Sequence, residues 1–228
     1  MNKAIRQGGS MLCACMLLAM AAEAAPAAGL RLECSDSGDA AKEAARIRAA
    51  AAGVVTRTSQ RALRVQAGGK TLAFADEPPY DDPYGGMRYA FCARKEGFIL
   101  VLAGDFYLGT GKLINEATGA LTPAGESVML SPDRRAYFAS AQPNGLDGSS
   151  WAIYALDGRQ SWEGYNFLPH PVKPGHMAAT LADQRWEANG EFSTLASCFY
   201  GKSAPWRVKL VKSDGAWDWR PRRTCPDV

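Results

Sequence analysis

Short apolar runs separated by turn residues cover most of the chain after residue 54, and this pattern predicts β-strands. The run 98–103 is continuously apolar, and shorter runs follow at 128–130, 136–139 and 151–156. Asp-Gly, Asn-Gly and Ser-Pro-Asp-Arg sequences stand between the runs, where Asp and Asn bond to their own backbone and Gly accepts a positive φ. We therefore predict an all-β fold built as an antiparallel meander.

Further strands are predicted on both sides of this block. Residues 62–66 and 71–75 flank an Ala-Gly-Gly-Lys sequence and predict a hairpin. The strand pattern continues through 162–167, but residues 168–176 contain three prolines, which exclude a central strand there. The pattern then resumes in three segments, 180–187, 191–200 and 206–212.

Residues 36–53 are the one segment that predicts a helix. Its Ala, Lys, Glu and Arg residues have high helix propensity. Asp36, Ser37 or Asp39 can cap its start, and Gly53 can end it. Because its apolar side is mostly alanine, which buries little area, we expect the helix to cover the surface of the domain. A partner-binding role is the alternative.

The first 24 residues predict a secretory signal peptide. Lys3 and Arg6 give a positive start, Met11–Ala22 is apolar but too short to span a membrane, and Ala22-Glu23-Ala24 supplies a cleavage site. Leu12–Cys15 resembles a lipoprotein box only superficially, since almost no apolar segment precedes it. No later stretch predicts a transmembrane helix. We therefore expect a periplasmic or secreted protein without an integral membrane segment.

An exported protein gives the cysteines a structural role. Cys13 and Cys15 leave with the signal peptide, and four cysteines remain: Cys34, Cys92, Cys198 and Cys225. An even number in an oxidising compartment predicts two disulfides. Shorter loops favour Cys34 with Cys92 and Cys198 with Cys225, whereas a ring-like fold would bring Cys34 to Cys225. A metal site is the weaker alternative, because the chain has no Cys-x-x-Cys and no histidine near these cysteines.

Length and charge favour one domain without nucleic-acid binding. Residues 25–228 are enough for a sizeable core, and no Ser-, Gly- or Pro-rich linker divides them. The chain carries 26 Lys and Arg against 23 Asp and Glu, a formal net charge of +3, and removal of residues 1–24 leaves +2. A balance so close to neutral does not steer a protein to nucleic acid.

The segment 76–86 is the strongest candidate for a recognition loop. It is acidic, stiffened by prolines, and holds two tyrosines among four carboxylates. Tyrosine offers a large rigid contact area with a polar tip. We therefore predict that Tyr80, Asp81, Asp82 and Tyr84 contact a protein partner. A solvated connector and a weak calcium site are the alternatives, although the carboxylate spacing fits no EF-hand.

Residues that would indicate an enzyme are sparse. His170 and His176 are the only histidines, and their spacing, with prolines between them, fits neither a zinc motif nor a helical pair. A catalytic triad that used either histidine would lack the Gly-x-Ser-x-Gly sequence of its serine. We therefore predict no catalytic residue, no cofactor and no metal. An envelope hydrolase that uses His170 or His176 is the alternative.

Two other patterns have simpler explanations than catalysis. The glycines of residues 104–112 lack the spacing of a phosphate-binding loop, and they predict turn and bulge positions. Glu163 beside Trp162, and Glu187 beside Trp186, resemble a glycosidase carboxylate pair with sugar-stacking rings. Tryptophans in an all-β chain more often pack between sheets. Glycan binding by an envelope scaffold remains a further alternative.

Residues 131–158 resemble one blade of a TolB-like or WD40-like β-propeller. They contain Ser-Pro-Asp-Arg-Arg at 131–135, an apolar strand, and Trp-Ala-Ile-Tyr-Ala-Leu-Asp-Gly at 151–158. Weaker echoes occur at 181–186 and 211–215. Because a blade takes ~40–45 residues, the length suits a small or incomplete propeller, or a curved two-sheet sandwich.

The chain also resembles two groups of exported proteins. Residues 54–219 are similar to secreted β-rich proteins of proteobacteria, a likeness carried by five short motifs: Phe-Ala-Asp at 74–76, Tyr-Ala-Phe at 89–91, Phe98–Leu102, Leu-Ile-x-x-x-Thr-Gly at 113–119 and Ser-Pro-Asp at 131–133. That group supplies no catalytic residues. The blade-like turn, the signal peptide and the cysteines resemble periplasmic immunity proteins that block peptidoglycan amidases delivered by type VI secretion. This resemblance implies a non-catalytic inhibitor or immunity protein whose loops obstruct a peptidoglycan hydrolase.

Overall fold

A computed structural model describes residues 29–34, 38–80, 85–104, 109–142, 148–170 and 176–226. These ranges contain one helix and four antiparallel sheets, which confirms the predicted fold class. The helix α1 spans Ala40–Ala50. The strands are β1 (Arg31–Glu33), β2 (Val55–Ser59), β3 (Ala62–Ala67), β4 (Lys70–Ala75), β5 (Arg88–Lys95), β6 (Phe98–Gly104), β7 (Gly109–Asn115), β8 (Leu121–Ala124), β9 (Ser127–Leu130), β10 (Ala136–Ala141), β11 (Ser150–Ala155), β12 (Gln160–Tyr165), β13 (Phe167–Pro169), β14 (Met177–Trp186), β15 (Phe192–Cys198), β16 (Trp206–Ser213) and β17 (Ala216–Arg220). The predicted signal peptide lies outside the described residues.

The strands form four meanders in chain order. The first sheet is β2-β3-β4, the second is β5-β6-β7-β8, and the fourth is β13-β14-β15-β16-β17. The third sheet is β9-β10-β11-β12, with β1 added beside β9. Strands that follow one another in sequence are therefore neighbours in space, which is what the short turns of the sequence predict.

The continuously apolar run 98–103 lies in β6, which is buried on both faces. Ile99 and Val101 pack into a core shared with the first sheet and α1. Leu100 packs into a second core, shared with the third sheet. Successive side chains of a strand point to opposite faces. A strand between two packed sheets therefore has no solvent face and carries no polar alternation.

The third core lies between the third and fourth sheets and is mostly aromatic. Phe138 stacks on Phe192 at 4.7 Å between ring centroids, and Trp162 meets Trp219 edge to face at 5.6 Å. Trp151 is 1% exposed in the same cluster. The expectation that tryptophans pack between sheets is confirmed for these residues.

The stacking order of the sheets matches that of propeller blades. Each sheet packs face to face on the next one in sequence, and the three cores join the first to the second, the second to the third and the third to the fourth. In the described part of the chain, none of these cores joins the first sheet to the fourth. The arrangement is therefore an open, incomplete propeller-like stack of four sheets rather than a two-sheet sandwich.

The predicted helix is shorter than residues 36–53. Asp39 is the N-cap, and its carboxylate accepts hydrogen bonds from Ala41 N and Lys42 N at 2.9 and 3.0 Å. The helix ends at its C-cap Ala51, whose N–H donates to Ile47 O, and Gly53 follows two residues later with a φ of 77°. Asp36 and Ser37 lie outside the described residues. The helix covers the first core, with Ile47 partly buried against it.

Both disulfides link the cysteines that short loops favour. Cys34 is bonded to Cys92 and Cys198 to Cys225, with sequence separations of 58 and 27 residues. The first disulfide joins the end of β1 to β5 of the second sheet. The second one joins the end of β15 to the C-terminal tail. The ring-like alternative, Cys34 with Cys225, does not occur, since each of these cysteines is bonded to another partner.

The Ser-Pro-Asp-Arg sequence forms the turn between β9 and β10. Ser131 Oγ donates to Asp133 Oδ1 at 2.6 Å and accepts from Ala136 N at 3.1 Å, while Arg134 takes a φ of 57°. The hydrogen bond from Ser131 lowers the pKa of Asp133. The weaker echo at 181–186 is different, because it lies inside β14 and forms a bulge with Asp183 at a φ of 51°.

The chain changes sheets inside the predicted strand 162–167. Tyr165 still pairs with Ser150 in the third sheet, whereas Phe167 pairs with Thr180 in the fourth. Asn166 lies between them and accepts a hydrogen bond from Leu181 N through its carbonyl oxygen at 2.8 Å. Pro169 belongs to the edge strand β13, a position where the missing N–H of proline is tolerated.

Candidate functional site

The predicted recognition loop leaves the fold between β4 and β5. Glu77 and Met87 exchange two backbone hydrogen bonds, at 2.8 and 3.0 Å, and so close the base of the loop. Gly86 has a φ of 78°, and a Cβ there would lie 2.5 Å from Pro79 O. Only glycine fits this close approach. Of the four predicted contact residues, Tyr80 is described, and Asp81, Asp82 and Tyr84 lie outside the described residues.

Tyr80 is held by two arginines. The guanidinium of Arg61 lies over its ring, 3.6 Å from the centroid. Arg88 Nη2 donates to the carbonyl oxygen of Tyr80 at 2.6 Å. The ring is half-buried, and one face is covered by a cation. Tyr80 therefore forms part of a charged wall instead of projecting freely.

This wall borders a cleft of about 740 Å³ between α1, β2 and the start of β5. The helix contributes Ala40, Glu43, Ala44, Ile47 and Arg48, whose spacing of three and four places them on one face. Alanine side chains on this face leave the space that larger residues would fill. Small residues on the helix thus help create the cleft beside β2.

A buried ion pair forms the floor of the cleft. Arg57 Nη2 donates to Glu43 Oε1 and Oε2, each at 2.8 Å, and also to Tyr89 O at 2.6 Å. The Glu43 carboxylate also accepts a hydrogen bond from Phe91 N, which lies 2.7 Å from Oε1. These bonds tie α1 to β2 and to the open edge of β5. Edge groups that might otherwise pair with another strand are thereby satisfied.

Arginines dominate the charge around the cleft. Its lining includes Arg48, Arg61 and Arg88 in addition to Arg57, against the two acids Glu43 and Asp76. Asp76 is engaged within the chain, since its Oδ1 accepts from Tyr89 N at 2.9 Å. Burial, assisted by the charges of Glu77 and Asp76, raises the pKa of Tyr89, so its hydroxyl stays neutral. The cleft therefore has an excess of positive charge.

A second surface of interest lies where the end of β12 in the third sheet meets the fourth sheet. We call it the aromatic surface; it consists of Tyr165, Phe167, Phe199 and Tyr200. Tyr165 and Phe167 stack at 5.2 Å between centroids, and Phe199 and Tyr200 meet edge to face at 4.8 Å. Tyr165 is 53% exposed, Phe199 46% and Tyr200 47%. Large apolar groups clustered at such exposure are typical of interaction sites.

The strand register explains why these rings are outside. Phe167 is opposite Thr180, and Phe199 N donates to Ala178 O at 3.0 Å. Residues 178 and 180 lie on the outer face of β14, because Ala179 and Leu181 between and beyond them are buried in the core. The two ring pairs therefore flank the same stretch of β14. The disulfide of Cys198 fixes the backbone next to Phe199.

The backbones of the two histidines are hydrogen-bonded to each other. His170 N donates to His176 O at 2.8 Å, and the side chain of His176 is exposed. In the ranges that the structure describes, no group of three or more His, Cys, Asp or Glu side chains is placed to hold a metal ion. Among the same residues, no helix has the length and apolar character needed to cross a membrane.

The two Glu-Trp pairs do not come together as a glycosidase site. Trp186 is buried, and its Nε1 donates to Met129 O at 2.9 Å in the core between the sheets. Glu187 accepts from Ser193 Oγ at 2.5 Å and from Arg185 Nε at 3.0 Å, and these bonds lower its pKa. Glu163 lies on the third sheet and accepts from Gln160 Nε2 at 2.7 Å. Neither tryptophan of these pairs presents an open ring platform beside both carboxylates.

Sequence patterns alone did not single out the aromatic surface or the cleft. A signal for the former exists in Phe199-Tyr200-Gly201, because two adjacent aromatics before a turn cannot both face one core. The cleft has no comparable signal, since its walls come from segments separated by up to 50 residues. Comparison with protein-family models, with curated proteins and with solved structures finds no match to this chain.

Proposed function

We propose that the chain is an exported, non-catalytic protein-binding module that inhibits, or confers immunity against, a cell-wall-degrading enzyme. The observation that carries the proposal is the aromatic surface. Phe167, Phe199 and Tyr200 lie in or next to strands of the fourth sheet, which packs against the third sheet and carries the Cys198–Cys225 disulfide beside Phe199, and Tyr165 lies at the end of β12 in the third sheet. Aromatic side chains held rigidly lose little entropy on binding and supply most of the energy of many interfaces.

Two further features support export and binding without chemistry. Two disulfides are typical of proteins from oxidising compartments such as the periplasm. Obstruction of an enzyme needs a rigid surface and no reactive group of its own. The partner would then be a peptidoglycan hydrolase, with the predicted loop residues Tyr80, Asp81, Asp82 and Tyr84 as a second contact.

The test is an inhibition assay with residues 25–228 purified from an oxidising compartment. Lysis of isolated peptidoglycan is followed with amidases, muramidases and endopeptidases in turn. We expect one class to be inhibited at a stoichiometric ratio. Replacement of Phe199 and Tyr200 by Ser should raise the concentration for half-inhibition by more than about tenfold, a loss typical of hot-spot residues.

Leu121→Ser is the matched control. Leu121 is 47% exposed, as Tyr200 is, but it lies in β8 of the second sheet. It should leave inhibition unchanged. A double change of Tyr80 and Tyr84 to Ala that left inhibition unchanged would remove the loop from the interface.

Other outcomes identify the alternative functions. Peptidoglycan breakdown by the protein alone, abolished by His170→Ala with His176→Ala, would indicate an envelope hydrolase. Sedimentation with peptidoglycan in the absence of any enzyme would indicate a glycan-binding scaffold. Absence of inhibition and of complex formation with all three enzyme classes would refute the proposal.

A further inference from the structure

We propose that the cleft between α1, β2 and β5 binds an acidic, extended peptide segment of a protein partner. Carboxylates of that segment would pair with Arg48, Arg61 and Arg88 around the opening. The inference shares with the proposed function only the idea that the ligand is a protein. It concerns the cleft and not the aromatic surface, and it is tested separately.

The charges that line the cleft are complementary to an anionic ligand. Both acids of the cleft are already used, Glu43 by Arg57 and Phe91 N, and Asp76 by Tyr89 N. Arg88 uses one donor in its hydrogen bond to Tyr80 O, and the guanidinium of Arg61 lies over the Tyr80 ring. A guanidinium carries five N–H donors in a planar fork that matches a carboxylate. Among the contacts within the described residues, donors on these arginines therefore remain available for an anionic ligand.

Two of these arginines are held in place before a ligand binds. The stacking of Arg61 on Tyr80 and the hydrogen bond of Arg88 to the same residue bring both guanidinium groups to one wall. Fixing a side chain before binding reduces the entropy lost in the complex. Arg48, on the opposite wall formed by α1, is exposed and reaches the cleft from the helix. A ligand between the walls meets cations on two sides.

The cleft also offers apolar surface and borders an edge strand. Ala44 and Ile47 on the helix, which are partly exposed, provide apolar surface next to the arginines. An inorganic anion would not contact such apolar surface, whereas an acidic peptide can present apolar and acidic side chains together. β2 is the edge strand of the first sheet and pairs with β3 on one side only. An extended segment beside an edge strand is a common mode of peptide recognition.

The experiment uses a fluorescent peptide of alternating Glu and Leu, with two matched peptides in which Gln or Lys replaces Glu. Binding to the full exported chain is measured by fluorescence anisotropy at low and high salt. We expect the Glu peptide to bind, the Gln peptide to bind about tenfold more weakly, and the Lys peptide not to bind. High salt should weaken the Glu peptide most, because its contacts are ionic.

Variants then locate the site. Arg48→Gln, Arg61→Gln and Arg88→Gln should each weaken the Glu peptide by about threefold to tenfold. Arg64→Gln is the control, since Arg64 is exposed on β3 of the same sheet and does not line the cleft. Urea unfolding of each variant checks that the fold is kept. Equal weakening by Arg64→Gln would overturn the assignment to the cleft.

The remaining outcomes also decide the matter. Equal binding of the Glu and Gln peptides, or no binding of either, would refute the proposal. Displacement of the peptide by an equal concentration of inorganic phosphate would reveal a general anion site instead. If the Glu peptide bound only to the double variant Asp81→Asn with Asp82→Asn, the chain's own acidic loop would be the occupant of the cleft. Failure of the aromatic surface in the inhibition assay would leave these peptide results unaffected.

Discussion

Arg57 and Glu43 form a bidentate ion pair between β2 and α1, with Arg57 Nη2 at 2.8 Å from both carboxylate oxygens and Arg57 Nε at 3.1 Å from one of them. The Glu43 side chain is 8% exposed and that of Arg57 24%. The same carboxylate binds Phe91 N, so one side chain of the helix joins the first sheet to the second. The pair therefore determines how α1 is placed over the cleft.

We predict that Glu43→Gln lowers the free energy of unfolding by about 3 kcal/mol, because it leaves the guanidinium of Arg57 without a charge partner. Urea unfolding measures the loss. Glu33→Gln is the control, since Glu33 pairs with Arg31 at a site where the side chains are 54% and 45% exposed. That change should cost less than about 0.5 kcal/mol. Equal losses would mean that the buried pair is not a special contact.

Loss of the Cys198–Cys225 disulfide should loosen the aromatic surface. The bond closes a loop with a sequence separation of 27 residues, for which chain entropy predicts a stabilisation of about 3.5 kcal/mol. We expect Cys198→Ser with Cys225→Ser to lower the free energy of unfolding by roughly that amount. Hydrogen exchange should also accelerate at Phe199 and Tyr200, next to the lost bond.

The first disulfide provides the comparison. Removal of Cys34–Cys92, with a separation of 58 residues, should cost about 4 kcal/mol but leave exchange at Phe199 unchanged. Similar acceleration at Phe199 in both variants would show that its order depends on global stability. It would then not depend on the neighbouring bond.

The Gly68-Gly69 turn of the β3–β4 hairpin separates two effects of glycine. Both residues have positive φ, 58° and 71°, and a Cβ on Gly69 would meet open space. A Cβ on Gly68 would lie 2.3 Å from the backbone of Thr118, in the turn between β7 and β8. We predict that Gly69→Ala costs about 1 kcal/mol, from its backbone conformation alone.

Gly68→Ala should cost at least about 2 kcal/mol more, because its backbone must move away from the second sheet. The hydrogen bond from Gly68 N to Glu116 O at 2.7 Å would be lost or lengthened as a result. Thermal unfolding of both variants measures the difference. Equal melting temperatures would contradict the close contact between the two turns.

Tyr137 should make the protein less stable at high pH. Burial raises the pKa of its hydroxyl from 10.0 to about 12, and the hydroxyl donates to Pro123 O at 2.6 Å. At a pH between these two pKa values, the Tyr137 hydroxyl keeps its proton in the folded state, whereas it has released that proton in the unfolded state. The free energy of unfolding therefore falls as pH rises through this window, by about 2 to 3 kcal/mol in total.

Urea unfolding at several pH values checks this expectation with Tyr137→Phe and Tyr165→Phe. The first variant should start less stable, since Pro123 O loses its donor, but it should lose less stability as pH rises. Tyr165 is exposed, so its variant should follow the wild type at every pH. A Tyr137→Phe curve parallel to that of the wild type would assign the pH dependence to other groups.

Local chemistry made the strands, their turns and the cap of the helix predictable. The Asp214-Gly215 turn has both residues at positive φ, 52° and 83°, as its dipeptide predicts. Asp39 caps α1, and Pro169 lies in β13, an edge strand of the fourth sheet. At Asp183 a turn-like sequence does not reverse the chain but forms a bulge inside β14. Pairing of β14 with its neighbours outweighs the local preference there.

Interactions between residues close along the chain made the all-β class and the order of the meanders predictable. Loop length favoured the two cysteine pairs that form, but it left the ring-like pairing open until the structure showed the two bonds. The tertiary structure alone decided that β6 is buried on both faces, that Asn166 marks a change of sheet, and that the rings of Phe167 and Phe199 flank one strand from outside. It also brought Arg48, Arg61 and Arg88 around one cleft. These relations depend on which sheet faces pack against each other. A periodic pattern of apolar residues specifies that a face is buried, but it does not specify the neighbour of that face.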